Sequence, residues 1–311
     1  MNKSLWVISS YFNWSRSHRK RINLQSFVKN LQEHGIPLLL VECAFGERPF
    51  ELSGTSLLQV RTNSHIWQKE RLLNLAIQAL PPSCESVVWM DCDLLIMQPS
   101  WAQKVQSALE TAEIVQAFST VLRLGKDNSV ESSETRIDRG ILASIKHHGL
   151  NVLTSRGHPG FGWAARRQFL LNHPLFETAI VGGADKMMLY AWSGFADSSR
   201  TRAMTSEKGF IAFSRWASAL EETCPQGPRL SFVPGTLHHL WHGNSEHRQY
   251  NERYEILKRF DFNPDHDLVV NADGCLELTS GKPELAQAIT EYFFNRKEDG
   301  TDVAVTRSMI A

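Results

Sequence analysis

Short apolar runs alternate with amphipathic stretches up to about residue 119 of the chain. The pattern predicts a strand at 5–9, an amphipathic helix at 23–34 and a second strand at 37–42, which together are a βαβ start. A further helix at 65–80 ends at a proline pair, and another strand follows it. This alternation predicts an α/β fold.

The strand that follows this helix ends in two acidic residues. Residues 86–97 form an apolar run that is interrupted by Asp91, Cys92 and Asp93. In an extended segment side chains alternate, so Asp91 and Asp93 share one face while Cys92 points to the other. Open parallel sheets bind ligands beyond the carboxyl ends of their strands, and two neighbouring carboxylates repel each other there unless a cation neutralises them. The pair therefore predicts a divalent metal that is bound together with substrate phosphates.

Beyond residue 125 the alternation loosens into polar loops. The remaining predicted elements are a helix at 134–148, a glycine-rich loop at 157–163, helices at 184–192 and 206–220, a histidine-rich strand-like segment at 229–243, a charged helix at 248–260 and a last helix at 284–297. Residues after 298 are polar enough to form a flexible tail.

Composition narrows the class of protein. The 33 basic and 33 acidic residues balance, so the chain has no overall positive field of the kind that binds nucleic acid. Five cysteines, without a Cys-x-x-Cys pair, argue against a disulfide framework and a zinc knuckle and favour a reducing, cytoplasmic location. No run of about 20 apolar residues occurs, so we expect no transmembrane segment; peripheral association with a membrane stays open.

Three histidines lie close together in the strand-like segment. His238 and His242 are four residues apart and can converge on one face, with His239 between them. A single histidine is more often an ordinary polar residue than a metal ligand. Combined with Asp91 and Asp93, however, an imidazole would complete a sphere that suits Mn²⁺ better than Zn²⁺.

An acidic residue stands at the start of the predicted helix at 184–192. Asp185 follows Gly182 and Gly183, and it is either a structural helix cap or a general base. The helix N-terminus would keep the carboxylate ionised, and the glycines would let a substrate hydroxyl approach it. Both roles are compatible.

Further candidates lie on the helix at 65–80 and in the glycine-rich loop. Lys69 and Arg71 could meet phosphate and Asn74 a base or ribose, or the three could form an ordinary solvated helix face. Phe161 and Trp163 could stack on a sugar ring or belong to the core, and the glycines on both sides of Phe161 favour the sugar platform.

These motifs together resemble glycosyltransferases of the GT-A type, which bind a nucleotide-sugar in an α/β domain. The strand that ends in Asp91-Cys92-Asp93 resembles their Asp-x-Asp signature. Residues 160–166 followed by Gly-Gly-Ala-Asp185 are similar to the acceptor-site segment of inverting members, and His242 is similar to the histidine that completes the metal sphere in several branches.

The resemblance implies a Rossmann-like fold with a mixed central sheet flanked by helices. The catalytic domain would span 1–247, a small α+β appendage 248–298 and a flexible tail 299–311. The first strand would bring Asn13 near the nucleotide base.

The resemblance also implies the chemistry. Asp91, Asp93 and His242 would hold Mn²⁺ or Mg²⁺ against the diphosphate of a nucleotide-sugar, with a UDP-sugar as the first candidate, and Asp185 would deprotonate an acceptor hydroxyl. Two alternatives stay open. A metal-dependent hydrolase would turn His238, His239 and His242 into one site, and a non-catalytic sugar-binding protein would not need the metal ligands.

Overall fold

The computed structural model describes residues 4–300. A seven-stranded sheet forms the centre of this part of the chain, and its strand order places β1 in the interior of the sheet. In spatial order the strands are β10 (Leu230–Phe232), β6 (Ile114–Gln116), β9 (Gly162–Arg166), β4 (Ser86–Met90), β1 (Leu5–Tyr11), β2 (Leu38–Phe45) and β3 (Leu57–Thr62). β9 runs antiparallel to both of its neighbours, whereas the other pairs are parallel. The predicted α/β class with a mixed central sheet is confirmed.

Helices cover both faces of this sheet because its strands alternate apolar side chains between two cores. On β4, Val88 and Met90 face the core under two helices, α1 (His18–Glu33) and α3 (Trp101–Leu109). Val87 and Trp89 face the opposite core, which is covered by α2 (Lys69–Ala79), α6 (Ala184–Trp192) and α8 (Glu207–Thr223).

A smaller sheet lies beside the end of β4. It consists of β5 (Leu94–Ile96), β11 (Thr236–His239), β7 (Thr120–Arg123) and β8 (Arg136–Arg139). β11 is antiparallel to β5 and parallel to β7. This pairing brings the histidine-rich segment to the turn that carries Asp91 and Asp93.

The remaining strands and α-helices all lie after residue 140. They are α4 (Ile141–His148), α5 (Arg167–Asn172), α7 (Ser199–Arg202), α9 (Arg253–Arg259), α10 (Pro264–Asp267), the hairpin of β12 (Leu268–Val270) and β13 (Leu276–Leu278), and α11 (Pro283–Phe294). The hairpin contacts the end of β3, where Thr62 donates to the Leu276 carbonyl. Of the predicted tail, residues 301–311 lie outside the described residues, and Asp299 accepts hydrogen bonds from the backbone amides of His18 and Arg19 at the start of α1.

Two predicted helices are wrong in their first halves. In the helix predicted at 134–148, residues Arg136–Arg139 instead pair with β7 as β8, and Gly140 caps α4 in an extended conformation. In the helix predicted at 248–260, Gln249 has a φ of 44°, which a right-handed helix does not allow, so α9 begins only at Arg253. No helix between residues 4 and 300 is both long and apolar enough to cross a membrane.

Candidate active site

A cleft of about 460 Å³ opens at the carboxyl end of β4. Asp91 and Asp93 lie on its wall in the turn between β4 and β5, not in extended backbone at the end of the strand as predicted, and Cys92 lines the same cleft instead of facing away from it. The rest of the wall comes from the end of β1, from α1 and β7, from the loop at 158–161, from the starts of α2 and α6, from the segment around the end of β11, and from the C-terminal part of the chain, residues 248–298. This is the edge at which open α/β sheets bind ligands.

Asp93 lies against two histidines. Its Oδ2 is 2.9 Å from Nε2 of His242, and its Oδ1 is 3.7 Å from Nε2 of His239. The two Nε2 atoms are 3.2 Å apart. The register of the small sheet explains the meeting, because His239 pairs with Leu94 and the amide of Leu240 donates to the Asp93 carbonyl at 2.9 Å.

These three side chains fit a divalent cation. Their ligand atoms all lie within 4.8 Å of one another, and Asp93 Oδ1 is buried without a hydrogen-bond partner. Burial, followed for His242 by the charge of Arg248, holds the pKa of both imidazoles well below the usual value, so both rings are neutral. A neutral imidazole is the form that binds metals. This set has one carboxylate and two imidazoles, whereas the predicted set of Asp91, Asp93 and His242 has two carboxylates and one imidazole. The second imidazole makes the site suitable for Zn²⁺ and Fe²⁺ as well as Mn²⁺.

Arg248 adds positive charge beside this set. Its Nη2 is 2.7 Å from Nδ1 of His242 and 3.1 Å from the His242 carbonyl oxygen. A guanidinium has no acceptor atom, so a ring nitrogen that faces it must be unprotonated. With Nδ1 as the acceptor, neutral His242 has its one proton on Nε2 and donates it to Asp93; a cation bound at Nε2 would replace that proton and would require Arg248 to move off Nδ1.

The other acidic residue of the turn, Asp91, has a different partner. Asp91 Oδ1 is 2.8 Å from Lys69 Nζ, and the same ammonium lies 3.2 Å from Asp185 Oδ2. Burial alone would lower the pKa of Lys69, but Asp185 and Asp91 outweigh burial and hold the pKa well above its usual value. Burial raises the pKa of both carboxyl groups, and Lys69 opposes that rise. Lys69 is thus the bridge between two carboxylates.

A neutral carboxyl group lies behind this bridge. Burial, opposed by Lys69, raises the pKa of Glu70 to about 8, so at neutral pH this side chain is largely protonated. Its Oε2 accepts a hydrogen bond from the indole of Trp67 at 3.1 Å. The anionic partners of Lys69 are therefore the two aspartates in the cleft and not Glu70.

The glycine pair before Asp185 is required by geometry. Gly182 and Gly183 have φ values of 86° and 100°, which side chains other than glycine rarely adopt. A Cβ at Gly183 would lie 2.3 Å from Oη of Tyr254. The pair lets the C-terminal part approach the start of α6, where Asp185 lies in the first turn.

The glycine-rich passage carries a strained residue. Phe161 has a φ of 77°, and its carbonyl accepts from the amide of Asp91 at 2.9 Å. Its ring lines the cleft and stacks on His158 at 4.0 Å between centroids. Trp163 turns the other way into the core, where it is 1% exposed and packs against Trp192.

Four other predicted residues lie outside this lining: Gly182, which lies beside Arg253, and Asn13, Arg71 and Asn74. Arg71 and Asn74 both bind Glu177, at 2.9 and 2.8 Å. Asn13 lines a separate cavity of about 310 Å³ at the ends of β1 and β2, beside Glu51. The structure thus brings Lys69, Asp91, Asp93, Phe161, Gly183, Asp185 and His242 together in one cleft.

Several residues of the cleft carried no individual prediction. His239, which only the hydrolase alternative places in the site, takes the place predicted for Asp91 among the possible metal ligands, and it converges with His242 because the chain leaves β11 directly after His239. Lys20 and the side chains of the C-terminal part come from segments that carry no motif. Those C-terminal residues are Arg248, Tyr250, Asn251, Arg253, Tyr254, Tyr292, Arg296 and Glu298.

No protein-family model matches the chain, and no curated protein matches it in sequence. Solved structures similar to it include glucosyl-3-phosphoglycerate synthase from Mycobacterium tuberculosis in complex with Mn²⁺, UDP and phosphoglyceric acid, at 12% identity and a TM-score of 0.38, over 89% of this chain and 87% of that one. The catalytic domain of Drosophila β1,4-galactosyltransferase 7 in complex with xylobiose is similar at 10% identity and a TM-score of 0.39, over 91% and 98%.

A third similar structure is a putative nucleotide-diphospho-sugar transferase from Desulfovibrio desulfuricans, at 11% identity and a TM-score of 0.34, over 83% of this chain and 96% of that one. The identities and TM-scores are too low to carry an activity over to this chain.

Proposed function

We propose that this chain is a metal-dependent glycosyltransferase that moves a sugar from a nucleotide-diphospho-sugar, first of all a UDP-sugar, to an acceptor hydroxyl with inversion. One observation carries the proposal. A single cleft at the carboxyl end of β4 combines a cation site at Asp93, cationic side chains suited to phosphate, and the carboxylate of Asp185.

Asp93, His239 and His242 would hold the divalent ion, with Mn²⁺ as the first candidate. When bound, such an ion offsets the negative charge on a leaving diphosphate, which contributes several kcal/mol. We assign Asp91 to Lys69, since their atoms are 2.8 Å apart, and this pair holds the ammonium at the cleft wall.

Cations of the C-terminal part and of α1 would bind the donor phosphates. Arg248, Arg296 and Lys20 line the cleft, and Arg248 lies directly against His242. Arginine binds phosphate oxygens through two parallel N–H groups, which gives both strength and orientation. These residues would fix the diphosphate beside the metal ligands.

Asp185 would remove the proton from the acceptor hydroxyl. The start of α6 and the ammonium of Lys69 both favour its ionised form, against the burial that raises its pKa. A Cβ placed on Gly160 would lie 3.4 Å from Asp185 Oδ2, so the missing side chain leaves that oxygen open to a hydroxyl. A positioned base contributes about 10²–10⁴ in rate.

The hydrolase alternative required three histidines in one site. His239 and His242 line the cleft, but His238 points to the other face of β11 and is absent from the group of possible ligands found among residues 4–300. The non-catalytic alternative gives no reason for the pairing of Asp185 with Lys69. We therefore favour the transferase.

The test is turnover with a panel of UDP-, GDP- and CMP-activated sugars and Mn²⁺, followed by product analysis. Asp185→Asn should bind UDP as tightly as the wild type and lose about 10²–10⁴ in turnover. Asp197→Asn is the matched control because that carboxylate is exposed and pairs with Arg202 away from the cleft. Normal turnover in Asp185→Asn would remove Asp185 as the base, and no turnover of any donor by the wild type would contradict the proposal.

A further inference from the structure

The cleft carries more positive charge than its own acids neutralise. Seven cationic and four acidic side chains line it, and Asp138 neutralises one of the cations, Arg123, from outside the lining, which leaves an excess of two. A divalent ion and the diphosphate of the proposed donor would cancel each other, because they bring two positive and two negative charges. The excess therefore calls for another anion.

Most of these cations have an acidic partner or belong to the metal end. Lys69 pairs with Asp91 and Asp185, Arg123 with Asp138, and Lys20 and Arg296 both pair with Glu298. Arg248 lies against His242. Arg253 and Lys186 have no carboxylate partner among residues 4–300.

Of these two residues, Arg253 is the stronger indication of an anion-binding site. Its residue is 9% exposed, its Nη2 donates to Oη of Tyr254 at 2.9 Å, and its Nε is buried without a partner. The guanidinium is hydrogen-bonded to the neutral phenols of Tyr254 and Tyr292, and such contacts offset only part of the desolvation penalty of a buried charge, so a negative charge bound there would be stabilising. The fork of an arginine is suited to bind a carboxylate or phosphate with two hydrogen bonds.

Both side chains lie at the Asp185 end of the cleft. The Nη1 of Arg253 is 3.0 Å from the position of a Cβ on Gly182, and its Nη2 is 3.1 Å from that on Gly183. The guanidinium therefore covers the glycine pair just before Asp185. Lys186 is the next residue of α6 and also lines the cleft.

We propose that Arg253 and Lys186 form a subsite for an anionic group, a carboxylate or a phosphate, on the acceptor, so that the enzyme glycosylates an acidic molecule. This inference rests on the proposed function, in which Asp185 faces the acceptor. The pKa of Lys186 agrees with it: burial lowers the pKa, and the nearby charges of Arg200 and Arg253 lower it further, so a bound anion would relieve repulsion between cations.

The test is calorimetry on the full chain with Mn²⁺ and saturating UDP, which fills the diphosphate site. Glucuronate and glucose 6-phosphate should each bind at least about tenfold more tightly than glucose, because a hydrogen bond to a charged group contributes about 1.5–3 kcal/mol. The stronger of the two acidic sugars identifies the subsite as selective for carboxylate or for phosphate.

Variants connect the preference to its residues. Arg253→Gln should abolish the preference for acidic sugars while UDP still binds, and Lys186→Gln should reduce it. Arg259→Gln is the matched control because Arg259 is an exposed cation of the same helix. If Arg253→Gln fails to fold, Arg253→Lys keeps the charge and loses the fork, and it should lower the preference at least threefold.

Each outcome is decisive. If none of UDP, GDP and CMP binds to the wild type in the presence of Mn²⁺, the proposed function itself is contradicted. The subsite alone is overturned if UDP binds but glucose, glucuronate and glucose 6-phosphate bind with equal affinity, or if neither acidic sugar binds. An unchanged preference for acidic sugars in folded variants of Arg253 and Lys186 also overturns it.

Discussion

Lys69→Met is the substitution that tests the charge balance of the cleft. The Lys69 side chain is 6% exposed, and its ammonium lies 2.8 Å from Asp91 and 3.2 Å from Asp185. Methionine keeps most of the length and volume but leaves two partly buried carboxylates without their cation. Breaking a buried pair in this way costs about 3–5 kcal/mol of unfolding free energy.

The loss should depend on pH. Without Lys69, burial raises the folded-state pKa of Asp91 and Asp185 above the unfolded value of about 3.9, so their ionisation opposes folding. Stability is then complete below the unfolded pKa and is lost as the pH rises through the folded pKa. The deficit should be largest at pH 7 and should shrink toward pH 4.

Urea unfolding of wild type and variant at pH 7 and pH 4.5 measures both effects. Lys29→Met is the matched control, because Lys29 is 78% exposed and its pairing with Glu33 is at 3.8 Å on the surface of α1. We expect no measurable change in that control. A deficit below about 1 kcal/mol at pH 7, or one that is equal at both pH values, would refute the bridge between the two aspartates.

Three further predictions concern the cation site, the glycine pair and the core. His239→Ala should weaken Mn²⁺ binding, measured by calorimetry, at least ~10-fold, because loss of a residue that only contacts a metal ligand already lowers metal affinity by that factor. His238→Ala should leave Mn²⁺ binding unchanged. Gly183→Ala should lower the melting temperature more than Gly149→Ala, because both glycines have positive φ but only a Cβ at Gly183 meets another atom within 4 Å. Burial lowers the pKa of His65 to about 4, so the free energy of unfolding should fall by ~3 kcal/mol as the pH drops from 6.5 to 4. The His65→Phe variant should lose this dependence of stability on pH. An unchanged dependence would show that His65 is not its source.

The fold was predictable where hydrophobic periodicity and helix ends are strong. The helix at 184–192 has the predicted bounds because a glycine pair precedes it and its apolar positions repeat regularly. β9 gave no such signal, because it follows a glycine-rich loop and is buried between two antiparallel neighbours. Its entry depends on the positive φ of Phe161, which sequence periodicity does not encode.

The site was predictable as far as its local motifs reach. Asp93, His242 and Asp185 stand out because each lies beside a recognisable element end, and the structure brings all three to one cleft. His239 was harder to choose, since alternation within a strand favoured partners two or four apart, and the chain bends after position 239. Arg253 depends on how the C-terminal part packs onto the glycine pair, a long-range contact without a local signature.

The most direct test of the central claim is isothermal calorimetry of UDP with the wild-type chain, with and without Mn²⁺, beside the same titrations of Asp93→Asn. The account predicts that Mn²⁺ strengthens UDP binding at least ~10-fold, which is about 1.4 kcal/mol of coupling, and that Asp93→Asn loses this coupling. UDP binding that is equal with and without Mn²⁺, or coupling that survives in Asp93→Asn, would contradict a metal-bridged diphosphate site in this cleft.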